Sequence, residues 1–184
     1  MEDVLKDGEG RMLKAVEALK KNFASIRTGR AHPALLDNIV VDYYGAPTSL
    51  KQLAQVSAPE ARVLLITPYD KSAAGNIEKA ILASDLGINP KNEGGAIRLI
   101  LPELSEDRRR ELGKGLKKEV EEAKVSIRNV RRDAIEVLKK QKAEKKITED
   151  EEKLKDKKVQ ELTDKYTAET DKLFAAKEKE IMEV

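Results

Sequence analysis

The 184-residue chain has no cysteine, no tryptophan and a single histidine, His32. Without cysteine there are no disulfides, thiolate metal sites or cysteine nucleophiles. One histidine excludes a two-histidine metal site and leaves a histidine relay without a partner. Aromatics are 3 %, two Phe and four Tyr, too few for a ring-lined cofactor pocket or a stacking platform for single-stranded nucleic acid. No apolar run approaches the roughly 20 residues of a membrane span. The start, Met1-Glu2-Asp3-Val4, is acidic and unlike a signal peptide. A soluble, cytoplasmic protein with no membrane partner is expected.

Catalytic motifs are missing too. There is no GxxxxGK[ST] loop, and Gly94-Gly95 leads into an apolar strand, the pattern of a turn rather than a phosphate cradle. The acids are surface-patterned, and no pair stands out as general acid and base. Nothing specifies a metal, so the expectation is a non-enzyme with neither cofactor nor metal. What remains is rich in Ala, Glu, Lys, Leu and Arg, the composition of long packed helices.

Two textures alternate. Over residues 3–27 the apolar residues Leu5, Met12, Val16, Leu19, Phe23 and Ile26 form a heptad-like seam. Gly29 and Pro33 then interrupt the pattern. Ile39–Tyr44, Arg62–Thr67 and Ala96–Leu101 read as strands, the last two stopping at Pro68 and Pro102. A helix is predicted over 73–84, with Ser72 as N-cap and Gly87 as stop. After Pro102 the helical texture returns. Ser105 caps a helix carrying Leu112, Leu116, Val120, Ala123, Ile127, Val130, Ala134 and Val137, extending to about Lys146. Thr148 and Glu151 have the spacing of a capping box. The last helix carries Leu154, Val159, Leu162, Tyr166, Leu173 and Ile181.

Three one-seamed helices must share a core. The predicted class is α+β: an elongated, L-shaped, two-domain molecule. Residues 1–30 and 105–184 form an antiparallel three-helix bundle, and 31–104 form a small inserted β/α domain. The hinges fall at about 29–33 and 102–105, with Gly29, Arg30, Ala31, His32, Pro33, Pro102 and Ser105 carrying the bend. Three seams closing on one another predict a monomer.

Net charge is +2, but it is unevenly spread. Residues 105–146 hold 15 basic and 9 acidic residues, whereas 147–184 hold 8 and 12. The last helix can therefore pair with its predecessor along part of its length. Arg128, Arg131 and Arg132 stand at i, i+3 and i+4, placing three guanidiniums on one patch. Arg forks onto phosphate oxygens and stacks on bases. Arg27, Arg30 and Arg108-Arg109-Arg110 add positive charge. From charge alone, a nucleic-acid interface and a plain solvated face both stand.

Four runs, in order, carry a resemblance: Ile26-Arg27-Thr28-Gly29-Arg30-Ala31 followed by Pro33; Tyr43-Tyr44-Gly45; Lys79-Ala80-Ile81 through Ser84-Asp85-Leu86-Gly87-Ile88-Asn89-Pro90; and Arg128-Asn129-Val130-Arg131-Arg132-Asp133-Ala134. Together they resemble the bacterial ribosome recycling factors over essentially the whole chain. Ser105-Glu106-Asp107 and His32 are small departures from the family pattern. The resemblance implies a protein shaped like tRNA that binds the large ribosomal subunit after peptide release. With elongation factor G and its GTP it splits the post-termination complex, freeing ribosomes from mRNA. Initiation factor three acts downstream. Combined with the clustered charge, this gives the expectation that Arg128, Arg131 and Arg132 carry the main ribosomal RNA contact, with Asn129, Arg27 and Arg30 beside them. Two other readings remain at this point: a factor that stores inactive ribosomes, and a helical adaptor or chaperone that binds proteins through its helix faces.

Overall fold

The computed structural model describes residues 3–183. In chain order the elements are α1 (Val4–Ala24), β1 (Val40–Tyr43), β2 (Ala46–Ser49), α2 (Leu50–Leu53), β3 (Ala54–Glu60), β4 (Val63–Pro68), α3 (Ala74–Ala83), β5 (Pro90–Glu93), β6 (Ala96–Ile100), α4 (Glu106–Ala143) and α5 (Glu149–Met182). Short 3-10 turns occupy Pro33–Leu36 and Lys71–Ala73. The chain divides into two compact units. One is Met1–Phe23 with Arg110–Lys179, and the other is Ala24–Arg109 with Glu180–Val184.

The first unit is a three-helix bundle. Met12 and Val16 of α1 meet Ile127 and Val130 of α4 and Tyr166 of α5 in one cluster. Ala134, Leu138, Ile147 and Val159 form another, with Val4 and Leu5 packed against it. Arg11 of α1 pairs with Asp133 of α4 at 2.9 Å, and Lys142 of α4 with Glu152 of α5 at 2.8 Å. These pairings run α4 antiparallel to both neighbours. Gly8 is buried here, and a Cβ on it would lie 3.9 Å from Val130 Cγ1, so the helices approach closely at this point.

Local signals set the helix ends. Arg108 N–H donates to Ser105 Oγ at 3.2 Å, with Glu106 and Asp107 in the first turn of α4. Thr148 N–H donates to Glu151 Oε2 at 2.7 Å and Glu151 N–H to Thr148 Oγ1 at 3.2 Å, a reciprocal capping box. Between them Lys145 takes φ 59°, with its N–H on Lys142 O and that of Lys146 on Gln141 O. This is a Schellman closure with lysine where glycine is usual.

Two seam positions depart from the expected list. Val137 is 42 % exposed, and Leu138 is fully buried in its place. From Ala134 the next inward position is either three or four residues on. Leu138 packs there with Ile147 and Val159. Leu154 is 55 % exposed, and Glu152 is buried beside Lys142 instead. Leu154 precedes Val159 by five residues, a step that turns it well off the inward face. Thr163 and Thr170 are buried on α5 as well, each with its hydroxyl on a nearby carbonyl of the same helix.

The second unit holds a four-stranded antiparallel sheet, ordered β3-β4-β6-β5, and the β1-β2 hairpin. Leu64 faces Leu99 and Ile66 faces Ile97 across β4 and β6, all four fully buried. They share a core with Ile77 and Ile81 of α3 and Val41 of β1. Two-residue turns close β1-β2 at Tyr44-Gly45 and β5-β6 at Gly94-Gly95, all four residues at positive φ. The paired glycines are a hairpin turn. The N-cap expectation is corrected. Asp70, not Ser72, caps the 3-10 turn leading into α3, its Oδ1 accepting from Ser72 N–H at 3.0 Å.

Candidate nucleic-acid interface

At about 100° per residue, Arg131 lies about 60° from Arg128 towards the buried seam, and Arg132 about 40° to the other side. Burial follows this geometry. Arg131 is half-buried, whereas Arg128, Asn129 and Arg132 are exposed. Val125 belongs to the same outward stripe and is 42 % exposed.

The three guanidiniums are held differently. Arg128 Nη2 lies 2.8 Å from Glu121 Oε1, two turns back on α4. Arg131 reaches across to α5, where Nη1 donates to Gln160 Oε1 at 3.2 Å. Gln160 Nε2 in turn donates to Asp164 Oδ1 at 2.9 Å. The side chains of Arg132 and Asn129 make no hydrogen bond or ion pair among the described residues. The one carboxylate inside the run, Asp133, points the other way and is taken by Arg11 of α1. A patch with one bare, one amide-held and one carboxylate-paired guanidinium keeps forked donors and part of its positive charge, the chemistry that suits an anionic backbone. Spacing alone identified the three arginines. It had no means of finding Gln160, Asp164 or Glu121, because those partners depend on the register between packed helices and on side-chain reach.

Arg27 is committed elsewhere. Within the second unit its Nη1 donates to Leu86 O at 3.1 Å and its Nη2 to Pro102 O at 3.3 Å. Burial, and then the charge of Arg108, push its guanidinium below the ordinary arginine value. Arg30 remains open, 66 % exposed, with Glu183 at 3.6 Å.

The expected hinge residues all make contacts inside the second unit. Gly29 has φ 82°, a left-handed conformation that favours glycine, with its α-carbon face against Leu104. Ala31 N–H donates to Ala61 O at 2.7 Å. His32 Nδ1 accepts from Ala34 N–H at 3.0 Å, capping the turn that Pro33 begins. Leu101 N–H donates to Arg62 O at 2.8 Å, just before Pro102, and Ser105 caps α4.

A family profile described as ribosome recycling factor matches residues 19–182. The chain is 53 % identical over 184 residues to the ribosome-recycling factor of Syntrophomonas wolfei, covering all of both chains. It is 55 % identical over 184 residues to that of Solidesulfovibrio magneticus, again with complete coverage. A solution structure of the ribosome recycling factor superposes with a TM-score of 0.80 at 47 % identity, over 99 % of this chain and 97 % of that one. A second structure holds the T. thermophilus ribosome recycling factor and the E. coli elongation factor G on the E. coli post-termination complex. It matches with a TM-score of 0.69 at 43 % identity, over 98 % of this chain and 97 % of that one. Matches of this extent, over both units, place the chain in the ribosome recycling factor family.

Proposed function

We propose that this chain docks on the large ribosomal subunit through the outward face of α4 and, with elongation factor G and its GTP, splits the post-termination complex. Initiation factor three then acts on the separated subunits. The observation that carries the docking face is the patch of Arg128, Arg131 and Arg132, with Arg132 free of any partner among the described residues. Asn129 and Arg30 extend it. Arg27 contributes through the fold, since each of its terminal nitrogens donates to a backbone carbonyl. Forked donors on a rigid helix suit structured RNA, which is recognised through backbone and shape.

The chain is a translation factor, and GTP hydrolysis belongs to elongation factor G. Work on ribosomes puts it in the cytoplasm, and three helices that bury their seams against one another support a monomer. Bending at residues 29–33 and 102–105 transmits the movement.

Polysome breakdown with elongation factor G and GTP tests the function. The wild-type chain releases ribosomes from mRNA, and binding without splitting would instead identify a storage factor. Arg132→Ala is expected to weaken large-subunit binding and to lower the salt slope by about 0.7–0.9 for each phosphate it no longer neutralises, with the melt unchanged. Unaltered affinity would remove the α4 face from docking, and salt-insensitive binding would favour a protein adaptor. A crosslink between the two hinge segments should spare binding and abolish splitting. Full splitting by the locked protein would refute the hinge.

A further inference from the structure

The three arginines of the α4 face differ in how the protein holds them, and this difference has a functional reading. We propose that Gln160 of α5, backed by Asp164, is a positioning residue that aims Arg131 at the RNA backbone. This inference rests on the reading of the α4 face as an RNA contact.

Arg131 is the arginine nearest the seam, and its Nε is buried without a partner in the protein. Its reach to a ligand therefore depends on how the two terminal nitrogens are turned. Gln160 Oε1 accepts from Nη1 at 3.2 Å and so constrains the turn of the guanidinium. The amide is itself fixed. Its Nε2 donates to Asp164 Oδ1 at 2.9 Å, one helical turn along α5. A carboxylate only accepts, so the amide must turn its nitrogen to Asp164 and its oxygen to Arg131. Asp164 thus decides the orientation of Gln160, and Gln160 that of Arg131.

The choice of an amide is chemically specific. A carboxylate at position 160 would cancel the charge that a phosphate needs, as Glu121 does in part for Arg128 at 2.8 Å. A neutral acceptor holds the guanidinium and leaves its charge for the ligand. Fixing a long side chain before binding removes an ordering cost from the bound state.

The test uses the full chain and large ribosomal subunits over a salt series. Gln160→Met keeps the helix and the length but removes the acceptor. Asp164→Asn keeps the shape but no longer dictates the amide orientation. Gln160→Met is expected to weaken binding about three- to tenfold, with the melt and the salt slope unchanged, since no charge is removed. Asp164→Asn should act in the same direction and less. Arg131→Ala should weaken binding and lower the salt slope, and adding Gln160→Met to it should have no further effect. If Arg131→Ala weakens binding and Gln160→Met does not, the positioning role falls and the RNA contact stands. An equal loss from Gln160→Met in the Arg131→Ala background would make Gln160 a direct contact, which also overturns the proposal. If Arg131→Ala itself changes nothing, Arg131 is no RNA contact and the positioning role falls with it, while Arg132→Ala decides whether the α4 face docks.

Discussion

Arg27 lies in a run that resembles the family pattern, yet its geometry makes it a stabilising residue of the second unit, and Arg27→Ala separates the two roles. The side chain spans from Leu86 O at 3.1 Å to Pro102 O at 3.3 Å, bridging two segments far apart in sequence. A hydrogen bond from a charged group contributes about 1.5–3 kcal/mol net when shielded, and less when exposed. The Leu86 bond is partly buried and the Pro102 bond is exposed. About 1.5 kcal/mol for the first and about 0.5 kcal/mol for the second give roughly 2 kcal/mol. For a unit of this size, 1 kcal/mol moves the midpoint by about 4–8 °C, so Arg27→Ala should lower the melting of the second unit by about 10 °C. Arg27→Lys should lose most of the same stability, because an ammonium cannot fork to both carbonyls. The readout is thermal and urea unfolding of the full chain, alongside large-subunit binding. A melt within about 1–2 °C of wild type together with a clear loss of affinity would refute this account and return Arg27 to the RNA contacts.

Three further outcomes follow from other parts of the fold. Lys145→Gly should stabilise the α4–α5 corner by about 0.5–1 kcal/mol, read from the urea midpoint, because glycine accepts the left-handed φ that lysine now holds at a cost; a destabilised variant would refute the Schellman reading. Thr170→Val should leave stability unchanged or raise it by up to about 1 kcal/mol, since the fully buried hydroxyl bonds only Thr167 O of its own helix; a loss above about 2 kcal/mol would show that the hydroxyl is needed. Burial, and then repulsion from Glu122, raise the Glu119 carboxyl above its ordinary value. Its protonated form is therefore favoured in the fold, and the stability linked to that proton is present below the unfolded pKa and lost as pH rises through the folded one. Glu119→Gln should accordingly raise Tm at about pH 7 and make no difference near about pH 3; a gain of equal size at both would rule out the ionisation.

Much of the bundle was readable from the sequence because its signals are short-ranged. A seam repeats every three or four residues, and the Thr148–Glu151 box and the Ser105 cap each span three. The β3 and β5 strands carry little sequence signal, for a physical reason. Both lie at the sheet edge, their residues are mostly exposed, and Pro59 and Pro90 stand in them, so they lack the apolar alternation that marks β4 and β6. Asp70 is hard to read as a cap because a 3-10 turn precedes α3 and separates the capped turn from the helix itself.

By itself the sequence determined that three long helices share a core, with a sheet inserted between the first and second, that catalysis by thiol or paired histidine is excluded, and that guanidiniums cluster on one turn of α4. Only the tertiary structure decided what each guanidinium does. Asp133 turns to Arg11, 122 residues away, and Arg131 to Gln160, 29 residues away, while Arg27 closes on the carbonyls of Leu86 and Pro102. Local periodicity records which face of a helix is apolar. The partner of a polar side chain depends on how that helix is rotated and shifted against its neighbours, and packing sets both.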